Sequence, residues 1–154
     1  MASSEQVTNV GSLMTPTPFT ISPNDSAQSA ARLMAATGVG ILPVEVPGVG
    51  AIIGVLTDRD IVVSVLAEGT PPTRAVREFM VVSPETCTPE DSILNAAQKM
   101  AERKIRRLVV VNDRHEAVGV LSLSDIARVH PEVAGMILSR STEPAQFAVM
   151  EVEA

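Results

Sequence analysis

The sequence predicts a mixed α/β (α+β) protein of two pseudo-symmetric β-α-β-β-α units packed through their sheets. Three observations carry this reading. First, landmarks recur at a fixed offset: Met14 and Met80, Pro23 and Pro89, Asp25 and Asp91, and Met34 and Met100 are each 66 residues apart. Second, Gly54 and Gly119 are 65 apart, as are Asp60 and Asp125. One residue is therefore lost in the second hairpin turn, where length changes are tolerated best. Third, short apolar runs bounded by Pro and Gly alternate with stretches of helical apolar spacing. A unit of about 60 residues is marginal alone, and facing sheets supply the missing burial.

Residues 1–6 read as disordered. Val7, Val10, Leu13 and Met14 form a short helical stripe, and Thr15-Pro16-Thr17-Pro18 then enforces an extended lead-in, because each proline restricts its predecessor. Phe19 to Ile21 is a brief strand. Ser22-Pro23-Asn24-Asp25 opens a helix that ends near Gly38, a left-handed cap. Ile41 to Val46 and Ala51 to Leu56 are strands around a Pro-Gly turn, and a helix follows from Asp58 to about Glu68. The plan then restarts. Val76 to Met80 ends a short helix, Val81 to Ser83 is the second lead-in, a loop, and Glu85 to Cys87 is a brief strand. Thr88-Pro89-Glu90-Asp91 opens the second long helix. Arg107 to Val111 and Ala117 to Leu121 are the paired strands. Three segments result: repeats at 7–70 and 73–130, and a C-terminal helix and tail at 131–154, the tail being mobile or a packing arm.

Composition excludes several classes of function. The 154 residues are 45% hydrophobic but contain three Phe and neither Trp nor Tyr, so aromatic stacking cannot be the main way of holding bases. A net charge of −6 argues against nucleic acid as a partner. No apolar run is long enough to span a membrane, and the N-terminus lacks the layout of a signal peptide. Cys87 is the single cysteine and falls in an expected strand, so a buried thiol is expected. His115 and His130 are too far apart in sequence to suggest a zinc centre. A soluble cytoplasmic protein is expected.

The repeated chemistry is at the end of each strand pair. Gly54-Val-Leu-Thr57-Asp-Arg-Asp60-Ile returns as Gly119-Val-Leu-Ser122-Leu-Ser-Asp125-Ile. Strand, hydroxyl residue, helix start and an acid three positions later place a hydroxyl, free N–H groups and a carboxylate together. That set suits a ribose carrying phosphate. The same residues are also helix N-cap patterns, worth about 1 kcal/mol each. Both readings stay open at the level of sequence.

With these motifs, the Met-Thr-Pro at 14–16, Gly-Ile-Leu-Pro-Val at 40–44 and Ile-Arg-Arg-Leu-Val-Val-Val at 105–111, the chain resembles the cystathionine-β-synthase (CBS) domain pair, or Bateman module, in its stand-alone bacterial form. The resemblance spans roughly residues 7–130. It implies two clefts between the sheets that hold AMP, ADP, ATP or S-adenosylmethionine, with no cofactor required. By resemblance, Asp60 and Asp125 bind ribose hydroxyls, and Thr57 and Ser122 contact the ribose-phosphate region. Ile41 flanks the base, and the lead-ins, represented by Pro16 and Val82, reach the adenine with backbone groups. Arg106 and Arg107 fall where the γ-subunit repeats of the energy-sensing kinase carry a His-Arg pair that grips phosphate. Two surface arginines paired with acids explain them equally well, and the first repeat has Gly40-Ile41 there. His115, Asp58 and Asp113 read as solvated turn and helix-start residues.

A regulatory ligand sensor is therefore expected, with a ligand-free interaction module of the same fold as the alternative. An enzyme is not: there is no nucleophile–base pair, no Walker-type loop and no metal cluster in the sequence. A homodimer is also expected. Helix 58–68 is apolar on more than one side at Ile61, Val62, Val63, Val65 and Leu66, and the segment 126–138 adds similar surface. The narrow alanine faces at Ala27, Ala30 and Ala31 and at Ala96 and Ala97 permit close helix approach. The downstream protein partner is unknown.

Overall fold

A computed structural model describes residues 9–16 and 19–141. Val7, Thr17, Pro18 and the tail beyond Ser141, about which expectations were formed, lie outside the described residues. The elements are α1 (Val10–Leu13), β1 (Thr15–Pro16), α2 (Ala27–Thr37), β2 (Ile41–Glu45), β3 (Ile52–Thr57) and α3 (Asp58–Asp60), which continues as π-helix over Ile61–Leu66. A 3-10 turn at Val76–Glu78 leads to β4 (Val81–Val82), β5 (Thr86–Cys87), α4 (Ile93–Arg103), β6 (Arg107–Val111), β7 (Ala117–Ser122), α5 (Leu123–Val129) and α6 (Pro131–Ser141).

The repeat is visible in the registers. Ile41 pairs with Thr57 across β2 and β3, and Arg107 pairs with Ser122 across β6 and β7. Both hairpins shift register at equivalent points, Val44/Glu45 and Val110/Val111. Each hairpin packs a helix on one face, where Leu42, Val44 and Leu56 form the first core and Leu108, Val110 and Leu121 the second. Alternation turns Ile41, Val55, Val109 and Val111 to the other face, where they form one cluster shared by the two sheets. The two units thus meet through their sheets, as the pattern of apolar runs requires.

The lead-in segments, expected as loops, form short strands at Thr15–Pro16 and Val81–Val82 because each finds a sheet edge to pair with, and they are exchanged between repeats. β1 pairs with β7, and β4 pairs with β3, giving sheets ordered β1-β7-β6-β5 and β2-β3-β4. Val10 of α1 is fully buried in the second core, and its counterpart Val76 is fully buried in the first. The Val10 and Gly11 amides donate to the Asp91 and Pro89 carbonyls (both 2.9 Å), while Val76 and Arg77 donate to Asp25 and Pro23 (2.8 and 3.0 Å). Two equivalent glycines make the exchange possible. A Cβ on Gly54 would stand 2.7 Å from the Val81 carbonyl oxygen, and one on Gly119 would stand 2.9 Å from that of Thr15.

Four local expectations are corrected. Ser22–Asp25 and Thr88–Asp91 are turns, not caps: Asp25 and Asp91 accept from the Ser22 and Thr88 amides at 3.1 and 2.9 Å. The caps are Ser26 and Ser92, one residue beyond each acid, whose hydroxyls accept from Ser29 and Asn95. The strand expected at 19–21 shrinks to a bridge between Ile21 and Val44, because the Ser22 turn follows at once. The helix expected over 58–68 is π-wound from Ile61, with the Ala67 amide donating to the Val62 carbonyl at 2.9 Å. That stretch is rich in β-branched residues, which crowd an α-helical turn. Finally, Ala27, Ala30, Ala96 and Ala97 are buried against their own units, so they do not offer an outer face for close helix approach.

Candidate functional site

β3 and β7 each end at the hydroxyl residue of the repeated motif. The chain turns into a helix there because the hydroxyl and the acid close a reciprocal cap. The Thr57 amide donates to Asp60 Oδ2 at 2.8 Å and the Asp60 amide to Thr57 Oγ1 at 3.2 Å. The Ser122 and Asp125 bonds are 2.9 and 3.1 Å. The capping reading of the motif is therefore realised in both copies. It uses one carboxylate oxygen of each acid, and the hydrogen bond shown for the Asp60 carboxylate falls on Oδ2.

The two acids have different surroundings. Asp125 is buried at 7% exposure, with Arg128 Nη2 3.8 Å from its Oδ1. Asp60 is half-buried, and the position equivalent to Arg128 is Val63, which is exposed.

Exchange of the lead-ins decides which segment lies beside each motif. Pro16 lies beside Gly119 on the strand leading to Ser122 and Asp125. Val82 lies beside Gly54 on the strand leading to Thr57 and Asp60. Each motif is thus faced by the lead-in of the other repeat, and Pro16 and Val82 are both exposed. Ile41 is buried in the intersheet cluster, one strand from Thr57.

The two arginines are used differently. Arg106 is exposed before β6, and its carbonyl accepts from the Leu123 amide at 2.8 Å. Arg107 crosses to the other unit: its Nη1 is 3.7 Å from Asp58 Oδ1 and donates to the Gly40 carbonyl at 3.4 Å. Asp58, expected to be merely solvated, is thus a partner of Arg107. Sequence reasoning missed this pair because 49 residues separate the two and no periodicity links them. His115 is exposed with φ +60°, and its carbonyl accepts from Ile52. Cys87 is buried, which pushes its thiol up to about 12; Asp91 adds to the rise and Lys99 opposes it. Among the described residues no group of three or more His, Cys, Asp or Glu could hold a metal ion. No described helix is long and apolar enough to cross a membrane.

The CBS domain model matches twice, at residues 10–67 and 76–132. The chain belongs to the CBS-domain family. The CBS domain-containing protein YhcV of Bacillus subtilis is 38% identical over 135 residues, 86% of this chain and 94% of that protein. Among solved structures, the CBS domain pair of protein MJ0100, in complex with 5′-methylthioadenosine and S-adenosyl-L-methionine, superposes with a TM-score of 0.73. It is 26% identical over 81% of this chain and 97% of that one. A hexameric CBS-CP12 protein from bloom-forming cyanobacteria gives 0.69 at 29% identity, over 77% and 65%. The CBS pair described here therefore has two pseudo-symmetric motifs, each completed by the opposite repeat.

Proposed function

We propose that this CBS pair is a regulatory, non-catalytic module that binds an adenosine-containing ligand in the clefts bearing Thr57 with Asp60 and Ser122 with Asp125. Candidate ligands are AMP, ADP, ATP and S-adenosylmethionine. The observation that carries the reading is the division of labour within the Asp60 carboxylate. Oδ2 holds the helix start, which fixes the side chain in place, and Oδ1 remains to accept from a ribose hydroxyl. A preformed acceptor of this kind binds a diol without a further ordering cost. The MJ0100 pair, with its two adenosine ligands, supports the class of ligand.

The second reading, a ligand-free interaction module, is favoured by the completeness of the capping boxes, which account for both motifs without any ligand. Isothermal titration with AMP, ATP, S-adenosylmethionine and 5′-methylthioadenosine separates the two. Under the proposal at least one binds, and Asp60→Asn or Asp125→Asn, which keeps an acceptor for the cap, weakens it by about 1.5–3 kcal/mol. No heat with any of the four leaves the ligand-free interaction module as the function, and binding that survives the double variant unchanged overturns the roles given to Asp60 and Asp125.

A further inference from the structure

The ion pair at the junction of the two sheets has no pseudo-symmetric copy. The counterpart of Arg107 is Ile41 and the counterpart of Asp58 is Leu123, so one side of the pseudo-dyad is charged and the other apolar. The fold makes room for the pair. A Cβ on Gly40 would stand 2.7 Å from Arg107 Nη1 and 2.8 Å from Asp58 Oδ2. The Gly40 carbonyl accepts from the guanidinium, and its own strand register is held by the Asp58 amide, which donates to that carbonyl at 3.0 Å. Asp58 Oδ1 also accepts from the Arg59 amide at 2.8 Å, which orients the carboxylate.

Half-exposed pairs of this kind stabilise a fold little. Their consequence is for the charge that another molecule meets. Asp58 lies between Thr57 and Asp60 in the chain, and its amide is bonded to the Gly40 carbonyl, so the junction stands beside the Asp60 cap. There the guanidinium is already engaged, and a carboxylate stands beside it. A phosphate gains one positive charge and meets one negative charge, with no net attraction.

We propose that the 5′ end of a nucleoside held at Asp60 meets this junction and that Asp58 is a specificity-determining residue: by occupying Arg107 it cancels the attraction for a 5′-phosphate, so that a phosphate gives no advantage over a neutral 5′ substituent. This rests on the reading of the Asp60 cleft as an adenosine site. The test titrates AMP and 5′-methylthioadenosine into the full chain, its Asp58→Asn variant and the Asp58→Asn/Arg107→Gln double variant. In the unmodified chain AMP binds no more tightly than 5′-methylthioadenosine. Asp58→Asn tightens AMP by about fivefold, the effect of one unit charge at contact distance in water, and leaves 5′-methylthioadenosine within about twofold. Adding Arg107→Gln removes the gain. Asn retains an acceptor for the Arg59 amide, and the exposed position keeps the fold, which a thermal melt verifies. If 5′-methylthioadenosine binds and Asp58→Asn moves both ligands equally or neither, the specificity role is overturned while the cleft reading stands. If neither ligand binds any of the three proteins, the specificity role is overturned, and the cleft reading falls with it unless ATP or S-adenosylmethionine binds.

Discussion

At the scale of single residues, Gly54 and Gly119 carry more of the architecture than any side chain in the motifs. Each lets a foreign lead-in approach so closely that a methyl group would meet a backbone carbonyl. A carbonyl in a paired strand cannot swing aside as a side-chain end can. Gly54→Ala and Gly119→Ala should each destabilise the protein by about 1–3 kcal/mol, the usual cost of overpacking. Gly135→Ala is the control: it lies in α6, an added Cβ there meets nothing within 4 Å, and the change should stabilise by about 0.5–1 kcal/mol. Urea unfolding of the three variants checks the contrast, and equal effects would discard the close-approach account. Cys87 makes a second residue-scale prediction. Burial raises its folded-state value from 9.0 to about 12, so between these limits the unfolded chain loses the thiol proton while the folded chain keeps it. Stability should fall as pH rises through that window, by at most about 1.4 kcal/mol per unit. The slope should be shallower in Cys87→Ala, and the native thiol should resist aromatic disulfide reagents at pH 8.

At the scale of elements, the π-wound stretch after α3 separates two valines that look alike in sequence. Val65 is 1% exposed and belongs to the first core, whereas Val62 is 55% exposed. Val63 and Leu66 are exposed beside it, as are Val129, Met136 and Leu138 in and beyond α5. We propose that these outer faces pair two copies of the module about a two-fold axis. Val62→Glu should leave the unfolding transition nearly unchanged and convert dimers to monomers, since burying an unpaired charge is costly. Val65→Glu should instead unfold the protein. Light scattering and thermal melts on both variants distinguish the effects. A monomeric parent chain at micromolar concentration would remove the dimer.

At the scale of the whole molecule, neither repeat completes its core alone: Val10 closes the second and Val76 the first. Separating the chain between residues 72 and 73 strips α1 and β1 from the second unit and the Val76 turn and β4 from the first. Loss of buried Val10 or Val76 alone removes about 1.5–3 kcal/mol of apolar burial, and the shared cluster between the sheets is lost as well. Fragments 1–72 and 73–154 should each show no cooperative unfolding transition, and mixing them should restore one. A fragment that melts sharply by itself, near the temperature of the intact chain, would contradict the interdependence of the units.

The sequence by itself determined the repeat, the packing through the sheets and the identity of the two motifs. Each of these rests on short-range periodicity or on the fixed offset between copies, and both can be read along the chain. It could not assign caps to Ser26 and Ser92 in place of Ser22 and Thr88, because Ser/Thr-Pro-x-Asp closes a turn as readily as it caps a helix. The pairing of Asp58 with Arg107 and the exchange of the lead-ins were decided only by tertiary structure. The exchange sets Pro16 beside Gly119 and Val82 beside Gly54. A repeat offset relates equivalent residues but carries no information on which copy each one contacts. That choice is made where the sheets and lead-ins meet, by the room that Gly40, Gly54 and Gly119 leave.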